Sequence, residues 1–293
     1  MASRWLWTHK SPAEVSLWAD AWRRLLRNRL AIFGGIVILG LGFLAVFADV
    51  LAPSHYTKAN FMHAYEFPNR QFPLGTDPLG RDMLSRIIYG ARVSMLVGFV
   101  AQFIVVSIGV PVGAVAGYYG GKVDLLIMRF VDVMYAFPRL LFVILLMSML
   151  GAGLLNIFIA IGLTGWVNIA RLTRAQILSL KEREFAEGAR AAGAGGLRVL
   201  WNHLLPNALS PIIVAVTFGI PEAIFTEAAL SFIGVGINPP TPSWGQMVGE
   251  YQQYILSYWH LCVFPSVAIA LTMLSFTFLG DGVRDALDPK LRD

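Results

Sequence analysis

Charged side chains are scarce in this sequence. Asp, Glu, Lys and Arg make up 14% of its 293 residues, against roughly 25% in an ordinary soluble domain. Apolar residues make up 56%, so too little polar surface is available to keep a globular fold in water. The single cysteine, Cys262, excludes an internal disulfide. The lysines and arginines lie in short segments beside apolar runs and form no single patch, which argues against a nucleic-acid partner.

Motifs of nucleotide binding and catalysis are also missing. The phosphate-binding pattern G-x-x-x-x-G-K-[ST] does not occur, and the nearest stretch, YYGGKV ending at Val123, lacks the first glycine and the hydroxyl residue. The five histidines form no H-E-x-x-H pair, and there is no G-x-S-x-G elbow. We therefore predict no catalytic, cofactor-binding or metal-binding residues on this chain.

Six apolar stretches are long enough to cross a bilayer as helices, which takes about 20 residues each. They lie near residues 30 to 51, 92 to 118, 125 to 150, 153 to 171, 209 to 231 and 259 to 280. The first is too long for a signal peptide and no convincing cleavage site follows it, so we interpret it as an uncleaved helix. The predicted fold class is an all-α polytopic membrane protein with six transmembrane helices.

The distribution of lysine and arginine predicts the orientation, because short cytoplasmic loops retain these residues. Sixteen lie on one side of the predicted spans, in the N-terminal segment (including Arg4 and Lys10), the second and fourth connections and the tail (including Lys290 and Arg292), and four lie on the other. Both termini are therefore predicted to be cytoplasmic. The organisation is then a cytoplasmic segment 1–29, a first transmembrane helix 30–51, an outer loop 52–91, a five-helix core 92–281 and a cytoplasmic tail 282–293.

Two connections are sizeable on the predicted outer side. In the first, prolines and glycines precede a short helix that Thr76 or Asp77 would cap. The second, residues 232–258, combines glycines, a Pro-Pro pair and aromatics, and either dips into the membrane or caps a cavity.

A polar segment at 182–206, here called the knob, separates the fourth and fifth spans. Apolar residues of one helical stripe occur at Leu197, Leu200, Trp201, Leu204 and Leu205, and Pro206 is expected to stop that helix. Upstream, the residues from 182 to 192 favour a second short helix, and glycines at 193, 195 and 196 allow a sharp turn between the two. The knob is therefore either an amphipathic loop lying on lipid headgroups or a docking surface for a partner protein.

The knob resembles the EAA motif of ABC-importer permeases, E-A-A, three residues, G, nine residues, I, one residue, L-P. Glu187, Gly188 and Ala189 occupy the triplet, Gly193 the glycine, and Leu205-Pro206 the end. Two positions depart from the motif, since Gly188 replaces an alanine and His203 replaces the isoleucine. The stretches PLGTDPLGRDMLSRIIYGAR, EAALSFIGVGINPPTPSWG and GDGVRDALDPKL extend the likeness to the C-type permease of the dipeptide, oligopeptide and nickel branch.

This resemblance implies a type I ABC-importer transmembrane fold whose coupling helices, at 182–206, sit in a groove of an ATPase subunit. On this chain the implied coupling residues are Arg183, Glu184, Glu187 and Arg190 for charged contacts, Leu200, Trp201, Leu204 and Leu205 for the seat, and Gly188, Ala189, Gly193 and Pro206 to complete the motif. The implied partners are a second, B-type permease, two ATP-binding subunits that hold ATP and Mg²⁺, an extracytoplasmic substrate-binding protein and membrane lipid. The implied location is a bacterial or archaeal cytoplasmic membrane.

Four charged residues fall within or beside the predicted spans, where charge is costly and often functional. Asp132 and Arg139 share a helical face and flank Pro138, and they form a structural ion pair, or Arg139 snorkels to the interface, or they line part of the translocation path. Glu222 and Glu227 lie in the fifth span beside Pro221, five residues apart and so not aligned, and Glu227 either hydrogen-bonds inside the bundle or lines the path. A series of small residues, Gly109, Gly113 and Gly117, suits close packing within this chain or against a second permease.

The predicted function is therefore a permease subunit of an ATP-driven importer, which forms half of the path for di- or oligopeptides. Nickel or glutathione remain alternative cargoes, because the same branch of the family carries them. Two other classes stay open on the residues alone. A secondary transporter or channel would need no ATPase, and a membrane-anchored enzyme would turn over substrate without partners.

Overall fold

The computed structural model describes residues 17–288, and the predictions that concern Arg4, Lys10, Lys290 and Arg292 lie outside this range. Within this range every regular secondary-structure element is a helix, and the only β-type contact is an isolated bridge between Thr76 and Asp82. The helices are α1 (Leu17–Leu25), α2 (Arg29–Val46), α3 (Ala48–Leu51), α4 (Met83–Tyr119), α5 (Gly121–Ala136), α6 (Arg139–Leu150), α7 (Leu154–Leu180), α8 (Glu184–Ala191), α9 (Gly196–Val199), α10 (Leu205–Phe232), α11 (Trp244–Tyr251) and α12 (His260–Leu287). Single 3-10 turns lie at Phe61–His63 and Gln252–Tyr254, and a π turn at Leu200–Leu204 joins α9 to α10.

Five helical stretches of the described range are long and apolar enough to cross a membrane, and α5 with α6 makes a sixth if the pair is one span. This confirms the predicted all-α polytopic membrane fold. Large apolar side chains are exposed along these helices, as expected where lipid replaces water as the neighbour. Examples are Leu39, Phe103, Leu126 and Met149.

The predicted span at 125–150 is not one continuous helix. Its two halves, α5 and α6, meet at an angle of 86°. Pro138 accounts for the break, because it has no amide hydrogen to donate and its ring disfavours a helical conformation in the residue before it. Phe137 accordingly has extended backbone angles of φ −81° and ψ 133°.

The second span begins earlier than predicted, at Met83 instead of near residue 92. Its cap is Asp82, whose carboxylate accepts a hydrogen bond from the Ser85 amide at 2.8 Å. The predicted caps, Thr76 and Asp77, are occupied elsewhere in the loop. The outer loop is therefore shorter than 52–91, and α4 extends well past one bilayer thickness.

The prediction that Pro206 ends the second helix of the knob is also wrong. The π turn continues directly into α10, and Pro206 lies in the first turn of that helix. Proline fits there because the first amides of a helix have no partner within the helix. The knob is thus continuous with the fifth span.

Helices α4 and α7 pack side by side in the same direction along a row of glycines. Cβ atoms added at Gly109, Gly113 and Gly117 would collide with successive turns of α7, at Trp166, Ala170 and Arg174 respectively. The glycine series therefore serves packing within this chain, which is one of the two roles left open by the sequence. In the same way Gly34 of α2 lies against the backbone of α12 at Ser275.

The helix bundle has two structurally distinct ends. At the knob end, α4 and α7 finish beside the knob, and α12 finishes beside α1. At the loop end, the connections 52–82 and 233–259 fold over the helices, and α11 packs against α4, α10 and α12. Trp244, at the start of α11, is fully buried and donates a hydrogen bond to the Ile87 carbonyl at 3.1 Å.

Candidate functional site: the knob, the bend and the loop clasp

The knob turns at Gly193, the glycine of the EAA-like motif. Its φ of +86° is a left-handed conformation that other residues adopt only with strain. The turn is closed by hydrogen bonds from the Gly193 amide to the Arg190 carbonyl at 2.9 Å and from the Ala194 amide to the Ala189 carbonyl at 3.0 Å. This pattern is that of a helix ending at a glycine, and it fixes the angle between α8 and α9.

The inner face of the knob is a small apolar core. Ala186, Val199, Leu200 and Leu204 have no exposed surface and pack with residues at the ends of α4 and α7. The prediction that Leu200 and Leu204 form a seat for a partner is therefore wrong for these two residues. The stripe is thus divided, since Leu200 and Leu204 face the chain's own bundle whereas Leu197 and Trp201 remain exposed.

The outer face of the knob carries charged and aromatic side chains. Arg183, Glu184, Glu187, Gly188 and Arg190 are exposed, and Ala189 and Leu205 are partly buried. Trp201, Phe185 and Leu197 are exposed by 45%, 41% and 60%. Phe185 was not among the predicted coupling residues, because a lone apolar residue in a charged helix gives no periodic signal.

Polar and close backbone contacts attach the knob to the bundle. Arg174 of α7 holds Asp124 of α5 through two hydrogen bonds of 2.5 Å, and the Lys181 ammonium donates to the Gly117 carbonyl at 3.2 Å. A Cβ at Gly196 would lie 2.8 Å from the Tyr118 hydroxyl, so the second knob helix approaches α4 closely. Helices α4, α7 and α10 therefore meet at the base of the knob, and α5 is held to α7 beside it.

A second candidate site lies at the bend between α5 and α6. Arg139, the first residue of α6, forms an ion pair with Glu222 of α10, which lies next to Pro221. The pair borders a cavity of about 310 Å³, the bend cavity, whose wall includes Gln102 and Asn168. Both charged side chains remain partly exposed, Arg139 at 27% and Glu222 at 56%.

The predicted pairing of Asp132 with Arg139 is wrong. Asp132 accepts instead from Arg171 of α7 at 2.5 Å, and the guanidinium of Arg171 lies 4.2 Å from the centre of the Tyr135 ring. The prediction assumed one straight helix, whereas the bend at Pro138 turns the two residues towards different neighbours. Each of them therefore joins its half of the broken span to a different helix.

Glu227 is fully buried at the loop end of α10. One carboxylate oxygen accepts hydrogen bonds from Ser231 at 2.8 Å and from Ser243 at 2.6 Å. Ser231 in turn accepts from the Ile237 amide at 3.1 Å. The carboxylate thus holds the connection 233–243 against α10. Of the two roles considered for Glu227, this is hydrogen bonding inside the bundle.

A buried ionic cluster, here called the loop clasp, closes the loop end. Asp77 accepts from Arg81 at 2.5 Å and from the Tyr251 hydroxyl at 2.8 Å, and Glu250 lies 3.3 Å from Arg81 and 3.5 Å from Arg86. Arg86 is completely buried. Burial is the main reason that the pKa of Tyr251 is raised well above its usual value. The clasp joins the connection 52–82 and the start of α4 to α11.

The loop clasp was missed at the level of sequence. Its residues lie about 170 positions apart in the chain, so no local spacing connects them. The only signal was the alternation of charge in TDPLGRD, within a loop that was interpreted as surface-exposed. Among residues 17–288, by contrast, no cluster of three or more His, Cys, Asp or Glu is arranged to hold a metal ion.

The fold is that of a transmembrane subunit of a type I ABC importer. The inward-facing MetNI methionine ABC transporter superposes on this chain with a TM-score of 0.57 at 20% identity, and the match covers 69% of this chain and 95% of that one. At this identity the likeness establishes the fold alone.

The family follows from sequence comparison. Residues 109–293 match the family described as "Binding-protein-dependent transport system inner membrane component", and residues 16–70 match "N-terminal TM domain of oligopeptide transport permease C". The dipeptide transport system permease protein DppC of Bacillus subtilis is 44% identical over 95% of this chain and 87% of its own length. The glutathione transport system permease protein GsiD of Pectobacterium atrosepticum is 40% identical over 94% of this chain and 92% of its own length.

The chain belongs to the family of binding-protein-dependent transport system inner membrane components, as a DppC/OppC-like permease. It is a multi-pass membrane protein and a permease subunit of an ABC importer. Subunits of this family are not themselves catalytic.

Proposed function

We propose that this chain forms half of an import path for di- or oligopeptides in a bacterial or archaeal cytoplasmic membrane, with the knob end and both termini in the cytoplasm. The observation that supports this best is the continuity of α10. It leaves the knob at Leu205 and carries Glu222 of the bend cavity about 25 Å further along the same helix, at 1.5 Å per residue. A displacement of the knob is thereby transmitted to the interior of the membrane.

The driving force comes from partner subunits. Two ATP-binding subunits hold ATP and Mg²⁺ and hydrolyse the nucleotide, since no phosphate-binding motif occurs in this sequence. A second, B-type permease completes the path, and an extracytoplasmic substrate-binding protein delivers the cargo. The family description, which names binding-protein-dependent transport, supports this assembly.

The exposed face of the knob is the coupling surface. Trp201 and Phe185 supply the apolar contact, and Arg183, Glu184, Glu187 and Arg190 supply the charged rim. An aromatic anchor inside a polar rim is the usual arrangement of a strong protein contact. The contact must be stronger in one state of the ATPase pair than in the other, because a partner that binds both states equally shifts neither.

The bend cavity is part of the translocation path. A peptide carries an ammonium at one end and a carboxylate at the other, and the partly exposed Arg139–Glu222 pair offers one partner for each. Asp132 and Glu227 have structural roles beside the path, because neither lines the bend cavity and each is bound to its own partner within the chain. Glutathione, itself a tripeptide, is the second candidate cargo, and the name of the Pectobacterium relative favours it. Nickel is the remaining alternative within this branch of the family.

The test is uptake by proteoliposomes that contain the complete assembly. Phe185→Ala with Trp201→Ala is expected to weaken ATPase attachment by about 900-fold, since loss of each aromatic anchor costs roughly 2 kcal/mol, and to abolish ATP-driven uptake. Leu39→Ala, which removes an even more exposed apolar side chain from α2, is the matched control and is expected to leave uptake unchanged.

Two outcomes would contradict the proposal. Uptake that persists without the ATPases and follows an ion gradient would identify a secondary transporter. Chemical conversion of the cargo by the purified chain alone would identify a membrane-anchored enzyme.

A further inference from the structure

A polar cleft of about 560 Å³ separates α1 from the final turns of α12 at the knob end. Arg23 and Arg24 of α1 and Arg27 of the turn that follows it form one wall, and Asp285 lies on α12 opposite them. None of the contacts proposed for transport uses this cleft. It is set apart from the knob, the bend cavity and the loop clasp.

The cleft lies at the boundary of the membrane. Helix α2 is apolar enough to span the bilayer and starts at Arg29, directly after the three-residue turn 26–28 that follows α1. At the opposite wall, α12 is also a spanning helix and finishes at Leu287. A tight contact fixes the two walls, because a Cβ at Gly282 would collide with Ala31 and come within 3.1 Å of Leu25.

The charge of the cleft suits one monovalent anion. Three arginines and two aspartates line it, which leaves one net positive charge. Asp20 is already paired with Arg24 at 3.1 Å. Arg23 in α1 and Arg27 in the turn that follows it are both exposed, and both line the cleft.

An apolar surface adjoins the arginines. Trp22, Leu26 and Leu30 are exposed by 60%, 52% and 56%, although each would be costly to leave in water. Trp22 and Leu26 directly precede Arg23 and Arg27 in the chain. Arginines next to exposed tryptophan and leucine side chains are typical of the lipid headgroup region.

We infer that this cleft binds the headgroup of an anionic phospholipid such as phosphatidylglycerol. Arg23 and Arg27 hold the phosphate diester, whose single negative charge matches the net charge of the cleft. The acyl chains lie along Trp22, Leu26 and Leu30. The apolar surface favours a lipid over free phosphate, because free phosphate is also anionic but has no acyl chains to contact these side chains.

The experiment measures lipids retained by the full-length chain. Native mass spectrometry of the purified protein, with phosphatidylglycerol and phosphatidylcholine offered in equal amounts, is expected to show preferential retention of phosphatidylglycerol. R23Q/R27Q is expected to lower that retention by roughly 30-fold, because each basic residue near a membrane surface contributes about fivefold. R23K/R27K keeps the charge and is expected to retain most of it.

A matched control removes the same charge elsewhere at the knob end. K122Q/R198Q replaces two exposed basic residues outside the cleft and is expected to leave lipid retention unchanged. If R23Q/R27Q does not fold, the single variants R23Q and R27Q are measured, each with an expected fivefold loss.

Three results would overturn the inference. The first is undiminished retention of phosphatidylglycerol by R23Q/R27Q or by the single variants. The second is an equal loss in K122Q/R198Q, which would indicate a general charge effect. The third is complete displacement of the lipid by inorganic phosphate, which would make this a site for a free anion.

Discussion

Arg139 and Glu222 form an ion pair that joins the first residue of α6 to the middle of α10. The pair connects the bent span with the helix that begins at the knob. Both side chains are partly exposed to the bend cavity. The pair is therefore accessible, and each residue can replace its partner by another group of the same charge as that partner. Two prolines, Pro138 and Pro221, lie directly beside it, where helices bend most easily.

Removing one charge of this pair is expected to impair transport more than stability. Exposed ion pairs contribute about 0 to 1 kcal/mol, so Glu222→Gln and Arg139→Gln are expected to unfold within a few degrees of the parent protein. Each variant leaves an uncompensated charge in the path, and a cost of 1.4 kcal/mol corresponds to about tenfold slower uptake.

Uptake rates and thermal unfolding of the same preparations check this. Ser148→Ala removes an exposed hydroxyl that bonds only within α6 and is expected to transport normally. The double variant R139Q/E222Q is expected to recover part of the lost rate. Unchanged uptake in both single variants would exclude the pair from the path.

The loop clasp is expected to control stability of the loop end. Arg86→Met leaves Asp77 and Glu250 without one of their buried cationic partners, and breaking a buried pair in this way typically costs about 3 to 5 kcal/mol. The exposed Arg70, which lies in the connection 52–82, provides the control, and Arg70→Met is expected to be neutral. Limited proteolysis of the 52–82 connection, together with thermal unfolding, distinguishes the two variants, and equal resistance would show that the clasp is dispensable.

The glycine row between α4 and α7 predicts a sharp difference between two glycine substitutions. Gly113→Ala places a methyl group against the Ala170 carbonyl and is expected to cost about 1 to 3 kcal/mol. Gly40→Ala in α2 meets nothing within 4 Å and is expected to stabilise by up to about 1 kcal/mol through helix propensity. Thermal unfolding in detergent measures both, and a neutral Gly113→Ala would mean that the two helices can separate.

Two glycines of the knob are expected to respond in opposite ways. Gly193 has a φ of +86°, so Gly193→Ala is expected to cost about 1 to 2 kcal/mol of strain and to reduce coupled uptake. Gly188 is helical with open space around its Cβ position, so Gly188→Ala, which restores the alanine of the EAA motif, is expected to be neutral or slightly stabilising. ATP-driven uptake measured beside unfolding temperature provides the check; equal behaviour of the two variants would contradict the assigned geometry.

The elements that sequence predicted well depend on local patterns. Apolar length alone placed the spans, because a bilayer leaves a chain few alternatives to a helix. Gly193 was placed correctly at the turn of the knob, since three nearby glycines interrupt two helix-forming runs. The glycines at 109, 113 and 117 were identified as a close-packing row, although their partner helix could not be chosen.

The failures share one cause, which is that the partner of a side chain lies far away in the chain. Pro138 was noticed, yet the size of the bend decides that Asp132 meets Arg171 and that Arg139 meets Glu222. Leu200 and Leu204 of the knob are buried by residues at the ends of α4 and α7, which are distant in sequence. The loop clasp brings Arg81 to Tyr251 across the whole fold.

The glycine row has a mechanical consequence. Where backbone meets backbone with no side chain between them, neither sliding nor rolling is possible without collision, so α4 and α7 travel as a single rigid beam. Rearrangement during import is then confined to joints made of longer side chains and interrupted helices. The hinge at residues 137–138 and the proline-rich α10 are the parts free to swing against that beam.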